Sequence, residues 1–153
     1  MLGTKKFAIF SFLILLFAFL GFLDAFYLTV SHFSYDSLLC LPQSGCNLVT
    51  ESVYSQILNI PLAVLGLVYY CFLLILSFFL IFKNKTIFLN YIFYISLFGF
   101  LFYLRLIYLQ FFVLYAFCFY CLLSAVFNLM ILFFSLICKK ITKNQKIKIK
   151  ITQ

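Results

Sequence analysis

The chain has 153 residues, of which 67% are hydrophobic and 9% charged, and it carries a net charge of +8. A water-soluble domain of this length needs far more charge on its surface, so composition excludes one, and no hydrophilic stretch is long enough to build a second, soluble domain. Apolar runs able to cross a hydrocarbon core, about 20 residues each at a rise of about 1.5 Å, recur along the sequence and define a small, single-domain integral membrane protein. Six of the positive charges lie in the C-terminal segment directly after an apolar run, which suits anionic lipid headgroups and gives no support to nucleic-acid binding.

Lys5 and Lys6 precede the first expected span, at 7–31. Its apolar stretch outruns the roughly 7–15 residues of a signal-peptide core and has no small-x-small cleavage site before Asp24, so it is expected to stay as a helix. The segment 32–60 follows, with Cys40 and Cys46 flanking Pro42 and Ser44-Gly45, a composition that favours a turn. From Asn47 to Leu58, Val49, Val53, Ile57 and Ile60 recur at helical spacing and predict a short helix at the membrane surface. Ile60 is pushed out of the helical region by Pro61, which in turn suits the first turn of the next helix. Further spans are expected at 61–82, 86–110 and 112–138, with a basic tail over 139–153. The architecture predicted is all-α: a four-transmembrane-helix bundle with a short surface helix in the first extracytoplasmic loop. All ten lysines fall on one side of these spans, so the positive-inside rule places both termini in the cytoplasm and residues 32–60 and 110–114 outside.

Both cysteine pairs then face the outer compartment. Cys118-Phe119-Tyr120-Cys121 lies near the outer start of the fourth span, where side chains three apart share a helix face and the thiols can meet. A helix N-terminus favours negative charge on sulfur, which suits redox exchange. Cys40 and Cys46, outside the cytosol, are expected to be oxidised. A static loop staple is the competing reading for that pair alone; with two pairs on one side, thiolate attack can hand a disulfide from one to the other. Four thiols can also hold zinc, which an oxidising compartment and the membrane burial of one pair oppose. Cys71, mid-span, and Cys138, at the inner end of the fourth span, read as packing residues.

The order Cys40-x5-Cys46, Val49, Ser52, Tyr54, Ile60-Pro61, Gly66 and Tyr69-Tyr70, then Cys118-x2-Cys121 opening the last helix, resembles the vitamin K epoxide reductase family in its bacterial form. Asp24-Ala25-Phe26-Tyr27-Leu28-Thr29 is similar to the family's first span, and the likeness covers most of residues 7–138. The resemblance implies a four-helix bundle around a quinone (ubiquinone or menaquinone), with electrons arriving from a thioredoxin-fold partner. It makes Cys118 and Cys121 the pair beside the quinone and Cys40 and Cys46 the shuttle pair. It sets Ser52 at the position that hydrogen-bonds a quinone carbonyl. Animal members carry a tyrosine where this sequence has Ala125, so the animal-type epoxide reaction is not expected. Many bacterial members carry a fused thioredoxin-like domain; this sequence shows none, and a separate partner is implied. Asn59 stands where glycine is usual, a change that a left-handed turn tolerates. The implied function is a quinone-dependent thiol oxidase of the bacterial cytoplasmic membrane. The alternative from another class is a non-enzymatic scaffold with structural disulfides or a cysteine metal site.

Three further residues are functional candidates. Asp24 lies roughly 12 Å inside His32 along the first span, and Arg105 roughly 7.5 Å inside the outer end of its own. Intramembrane charges are candidates by default, and these two can pair near the quinone pocket, although Arg105 can instead reach the headgroups. His32, at the mouth of the first helix, is either a proton carrier or an ordinary interface residue. The 24 phenylalanines are spread over all four spans as lipid-facing or core residues. No phosphate loop, nucleotide fingerprint, Ser/His/Asp set or carboxylate pair is visible.

Overall fold

A computed structural model describes residues 2–34, 56–57, 60–83, 86–114 and 118–151. Cys40, Cys46, Ser52 and most of the expected surface helix lie outside the described residues. Helix α1 runs Leu2–Ser34, α2 Leu62–Lys83, α3 Thr86–Tyr108 and α4 Phe119–Ile151. All four contain a segment long and apolar enough to cross a membrane. None has an interior proline, and each is apolar almost all round over the part that can cross a membrane, as a helix in lipid must be.

Burial sorts the residues by size and polarity in the reverse of a soluble protein. The outward faces are large and apolar, with Phe98 at 72% and Phe82 at 70% exposure. Contiguous surface of this kind suits hydrocarbon rather than water. The inward faces hold Ser11, Ser31, Ser77, Ser96, Ser124, Asn128 and Ser135 among Ile14, Leu73, Leu80, Leu89, Ile92 and Ile131. Small residues let helix backbones approach where no hydrophobic force drives helix against helix. Several of the hydroxyls are satisfied within their own helix: Ser77 donates to the Leu73 carbonyl at 2.7 Å, and Ser135 to Leu132 at 2.8 Å.

Helix α1 packs along both α2 and α4, while α3 packs along α4 and less extensively along α2. Phe10 and Phe17 on α1 mesh with Phe127 and Phe134 on α4, with ring centroids 5.7–6.2 Å apart. Seven-residue spacing on both helices keeps this aromatic seam on one face. One turn further along α1, Gly21 makes room for Tyr70: a methyl added there would fall inside the tyrosine ring. Gly21→Ala is therefore expected to lower the stability of the purified protein by about 1–3 kcal/mol, the usual cost of overpacking, read as a lower midpoint in a thermal or denaturant titration. Gly99 on α3 makes room for the Tyr69 hydroxyl in the same way.

Three expectations need correction. Leu109–Leu114 continues the third span as a π-helix, so the third apolar segment reaches Val113 and the fourth begins at Phe119, not at 112. Leu109-Gln-Phe-Phe-Val-Leu114 has no glycine or proline, and nothing local stops the helix where a turn was expected. Gln56–Ile57, expected in the surface helix, pairs instead as a two-residue strand (β1) with Ile60–Pro61 (β2), in the antiparallel register Gln56 with Pro61 and Ile57 with Ile60. The extended backbone demanded of Ile60 by Pro61 favours this hairpin over a last helical turn. Finally, α4 does not stop at Cys138 but carries Lys139, Lys140, Lys143, Lys146, Lys148 and Lys150 onward to Ile151. Lysine is a good helix former, so loss of hydrophobicity alone does not end a helix.

The described lysines gather at one end of the bundle. Lys139 Nζ sits 4.0 Å from the Phe93 ring centroid and 5.1 Å from that of Tyr94, and Lys83 Nζ sits 5.5 Å from that of Phe79. Cys121 precedes Lys139 by about 27 Å of helix, so the dithiol and this basic cluster lie toward opposite ends of the apolar span of α4.

Candidate dithiol site in the helix bundle

Cys118 is the last residue before α4 and serves as its N-cap. Its carbonyl accepts the first helical hydrogen bond, from Leu122 N at 3.1 Å, and its Sγ accepts the backbone N–H of Cys121 at 3.3 Å. A helix leaves its first N–H groups without intrahelical partners, and a side-chain acceptor at the N-cap is the usual remedy. Here that acceptor is a sulfur. The position aims the positive end of the helix dipole at the atom that exchanges electrons. Cys118 is fully buried and Cys121 half-buried. The Tyr120 ring packs against Tyr27 of α1, with centroids 5.2 Å apart, and so ties the start of α4 to the first helix.

One turn beyond Cys121 the helix interior turns polar. Ser124, buried, is the centre: the Tyr70 hydroxyl donates to its carbonyl at 2.6 Å, and the Tyr103 hydroxyl lies 3.1 Å from its Oγ. Ser124 Oγ is 3.3 Å from the Tyr70 hydroxyl and also faces the Asp24 carboxyl. Tyr103 is within electrostatic reach of both Asp24 and Cys121. A second layer lies a further turn in. Tyr69 donates to Asn128 Oδ1 at 2.6 Å, and Asn128 Nδ2 donates to the Ser96 carbonyl at 3.1 Å. All four helices thus contribute to one polar column beneath the dithiol. Two buried oxygens near this end, Asp24 Oδ2 and Gln110 Oε1, have no hydrogen-bond partner among the described residues.

Of the sequence candidates, Cys118, Cys121 and Asp24 come together at this end of the bundle. Arg105 does not join them. It is exposed, and among the described residues it makes no ion pair with Asp24. The side chain of His32, like Cys40, Cys46 and Ser52, lies outside the described residues. Cys71 is exposed, and Cys138 is buried further along α4, about five turns beyond the dithiol. Tyr103, Ser124, Asn128 and Gln110 were not singled out from sequence, although a signal exists. Ser96, Tyr103 and Gln110 are spaced by seven along the third span, and Cys121, Ser124 and Asn128 fall at i, i+3 and i+7 on the fourth. Polar residues repeating on one face of an otherwise apolar helix mark the face that looks into the bundle.

Taken together, fold and site define a four-span membrane bundle with a dithiol capping one helix above a buried polar column. The chain belongs to the vitamin K epoxide reductase family, whose model matches residues 12–136. That range takes in all of α2 and α3 and most of α1 and α4, including Cys118, Cys121 and the polar column beneath them. A search of curated proteins returns no match. Membership carries the general character of the family, an oxidoreductase that links disulfide redox chemistry to a quinone.

Proposed function

We propose that the protein is a quinone-dependent thiol oxidase that generates disulfides, re-oxidising a separate extracytoplasmic thioredoxin-fold protein. The observation that carries this reading is the placement of Cys118 and Cys121 at a helix N-terminus with Cys118 Sγ held by the Cys121 N–H, directly above a buried polar column. Such a dithiol can cycle, and hydroxyl donors beside it in an apolar interior suit a hydrophobic ring bearing carbonyl oxygens. A bound quinone, ubiquinone or menaquinone, supplies an acceptor for two electrons and two protons. Cys118 and Cys121 would lie beside it, and Ser52 is proposed to hydrogen-bond one of its carbonyls.

The relay begins with the reduced partner attacking the Cys40–Cys46 disulfide at Cys40, leaving both thiols reduced and the partner oxidised. Cys46 thiolate attacks Cys118 Sγ, breaks the Cys118–Cys121 bond and releases Cys121 as a thiolate. Cys40 then attacks Cys46, restoring the Cys40–Cys46 disulfide and freeing Cys118. The dithiol Cys118/Cys121 closes to a disulfide again as its two electrons and two protons pass to the quinone. Each exchange is faster when the leaving sulfur holds negative charge easily. Because 30 mV is worth about 1.4 kcal/mol in a two-electron couple, a downhill last step can keep even a strongly oxidising partner oxidised.

The positive-inside distribution of lysines supports cytoplasmic termini and an extracytoplasmic dithiol, in a bacterial cytoplasmic membrane. The relay is tested by replacing the shuttle pair. Cys46→Ala is expected to abolish oxidation of a reduced thioredoxin-fold protein while a small dithiol still drives quinone reduction through Cys118 and Cys121. Cys71→Ala and Cys138→Ala are expected to turn over at the wild-type rate. A Cys46→Ala protein that oxidises the protein donor normally would contradict the relay.

A further inference from the structure

Only three of the 153 residues are acidic, Asp24, Asp36 and Glu51, and one of them is buried in a membrane-spanning helix. Asp24 is 8% exposed, and its Oδ2 has no hydrogen-bond partner among the described residues. The charged residue that sequence reasoning offered as its counter-ion, Arg105, is exposed and makes no ion pair with it among the described residues. An ionised carboxylate taken out of water without a cation is left with an uncompensated charge, whereas a carboxyl holding its proton is tolerated there. Among the described residues the groups tied to Asp24 are hydroxyls rather than cations: Ser124 of α4 bonds its carboxyl, Tyr103 of α3 lies within electrostatic reach of it, and Tyr70 of α2 stands one hydrogen bond further on, at Ser124.

The Ser124 hydroxyl holds one proton and is offered three partners, the Tyr70 hydroxyl at 3.3 Å, the Tyr103 hydroxyl at 3.1 Å and the Asp24 carboxyl. A hydroxyl donates once and accepts twice, and its rotor turns freely. Such a cluster can pass a proton by reorienting O–H bonds without moving a heavy atom. It lies one helical turn from Cys121, where thiols must lose protons whenever a disulfide forms. A purely structural hydrogen-bond cluster needs no carboxyl with one oxygen left unpaired.

We infer that Asp24 is the proton-exchange group of the Cys118/Cys121 centre. The inference deepens the proposed thiol oxidase and rests on it. As the dithiol closes, the S–S bond forms, the two S–H bonds break, and two electrons leave for the quinone. Asp24 gives one proton through Ser124 and Tyr103 to the reduced quinone oxygen and becomes a carboxylate. It then takes a replacement proton from the Cys118/Cys121 thiols, so that it ends each cycle as it began. The second thiol proton leaves to the aqueous side, and the quinone takes its second proton from there.

The test compares Asp24→Asn, which keeps the shape but cannot exchange a proton, with Asp24→Glu, which can, and with Tyr103→Phe, which cuts the hydroxyl chain. In Asp24→Asn, transfer of electrons from a donor onto Cys118 and Cys121 without quinone, followed by thiol alkylation, is expected to be preserved. Quinone-linked re-oxidation is expected to slow by about 100-fold, in the range lost with a general acid–base group, and the residual rate to rise as pH is lowered because protons must then come from bulk water. Asp24→Glu should recover most of the rate, and Tyr103→Phe should fall between. Infrared difference spectroscopy gives a readout that does not depend on turnover: the C=O band of a protonated carboxylic acid should be present in the wild type, disappear in Asp24→Asn, and shift when a dithiol reduces the Cys118–Cys121 disulfide. An Asp24→Asn protein with the wild-type rate and pH profile would overturn the inference, as would the absence of the carboxylic-acid band. Should the wild type fail to oxidise thiols with any quinone, the thiol-oxidase reading fails, and the response of the Asp24 band to dithiol alone still decides whether this carboxyl is coupled to the cysteines.

Discussion

Cys121→Ala is expected to stop quinone-linked thiol oxidation, with a loss greater than about 1,000-fold, because the dithiol cannot close without its second sulfur. The effect should be a block at one step rather than a loss of structure. Cys121 is half-buried, and alanine is a better helix former at that position of α4. Cys118 Sγ accepts the backbone N–H of residue 121, which alanine retains, so the cap at the start of the helix survives the change. Cys118, left as a lone thiol, can no longer take electrons from the donor, but its thiolate can attack the Cys40–Cys46 disulfide at Cys46 and release Cys40, so a mixed disulfide between Cys118 and Cys46 is expected to accumulate, visible as a mass-resolved cross-link between a loop peptide and an α4 peptide. Cys118→Ala removes the cap as well as the redox atom, and about 1 kcal/mol of stability should be lost with it. Full turnover in Cys121→Ala would remove the dithiol from the reaction altogether.

Tyr70→Ala is expected to cost about 3–5 kcal/mol of stability, the largest effect of any single truncation in the bundle. Tyr70 is wholly buried between α1 and α4, with its ring over Gly21 and its hydroxyl donating to the Ser124 carbonyl at 2.6 Å. Truncation opens a cavity where three helices meet and removes the second hydrogen bond to that carbonyl, which keeps its partner within α4. Tyr70→Phe keeps the ring and loses only the hydroxyl, and about 1 kcal/mol is expected for it. A denaturant titration of the two variants separates ring packing from hydrogen bonding. Equal loss in both would mean that the hydroxyl, not the ring, holds the helices together.

The four spans could be read from the sequence because lipid demands the same apolar composition of every crossing segment. Their ends were less legible. Residues 109–114 are as apolar as the helix before them, and only the absence of a breaker shows that the third span runs on through Gln110 to Val113. At Gln56 and Ile57, helical spacing of β-branched residues pointed one way and the neighbouring Pro61 the other, and the proline prevailed. Cys118 and Cys121 stood out because a thiol pair at a helix start has a defined chemistry. The hydroxyls beneath them did not, because eleven tyrosines are scattered through the chain and composition cannot say which few point inward. Helical phase can: Tyr103 shares a face with Ser96 and Gln110, and Ser124 shares one with Cys121 and Asn128. Asp24 was visible from sequence as an intramembrane charge, but its partners were not, since the pairing with Arg105 required a rotation of α3 that the packing of Tyr103 against Ser124 does not allow.

The central claim is that this dithiol passes electrons from protein thiols to a quinone. Its most direct test is the stoichiometry of the purified wild type in detergent or membranes, with a reduced thioredoxin-fold protein as donor and ubiquinone or menaquinone as acceptor. One quinone reduced for each disulfide formed in the donor is the result expected. Failure to reduce any of several quinones with any of several donors, with the cysteines remaining in fixed disulfides, would contradict it and leave a structural bundle in its place.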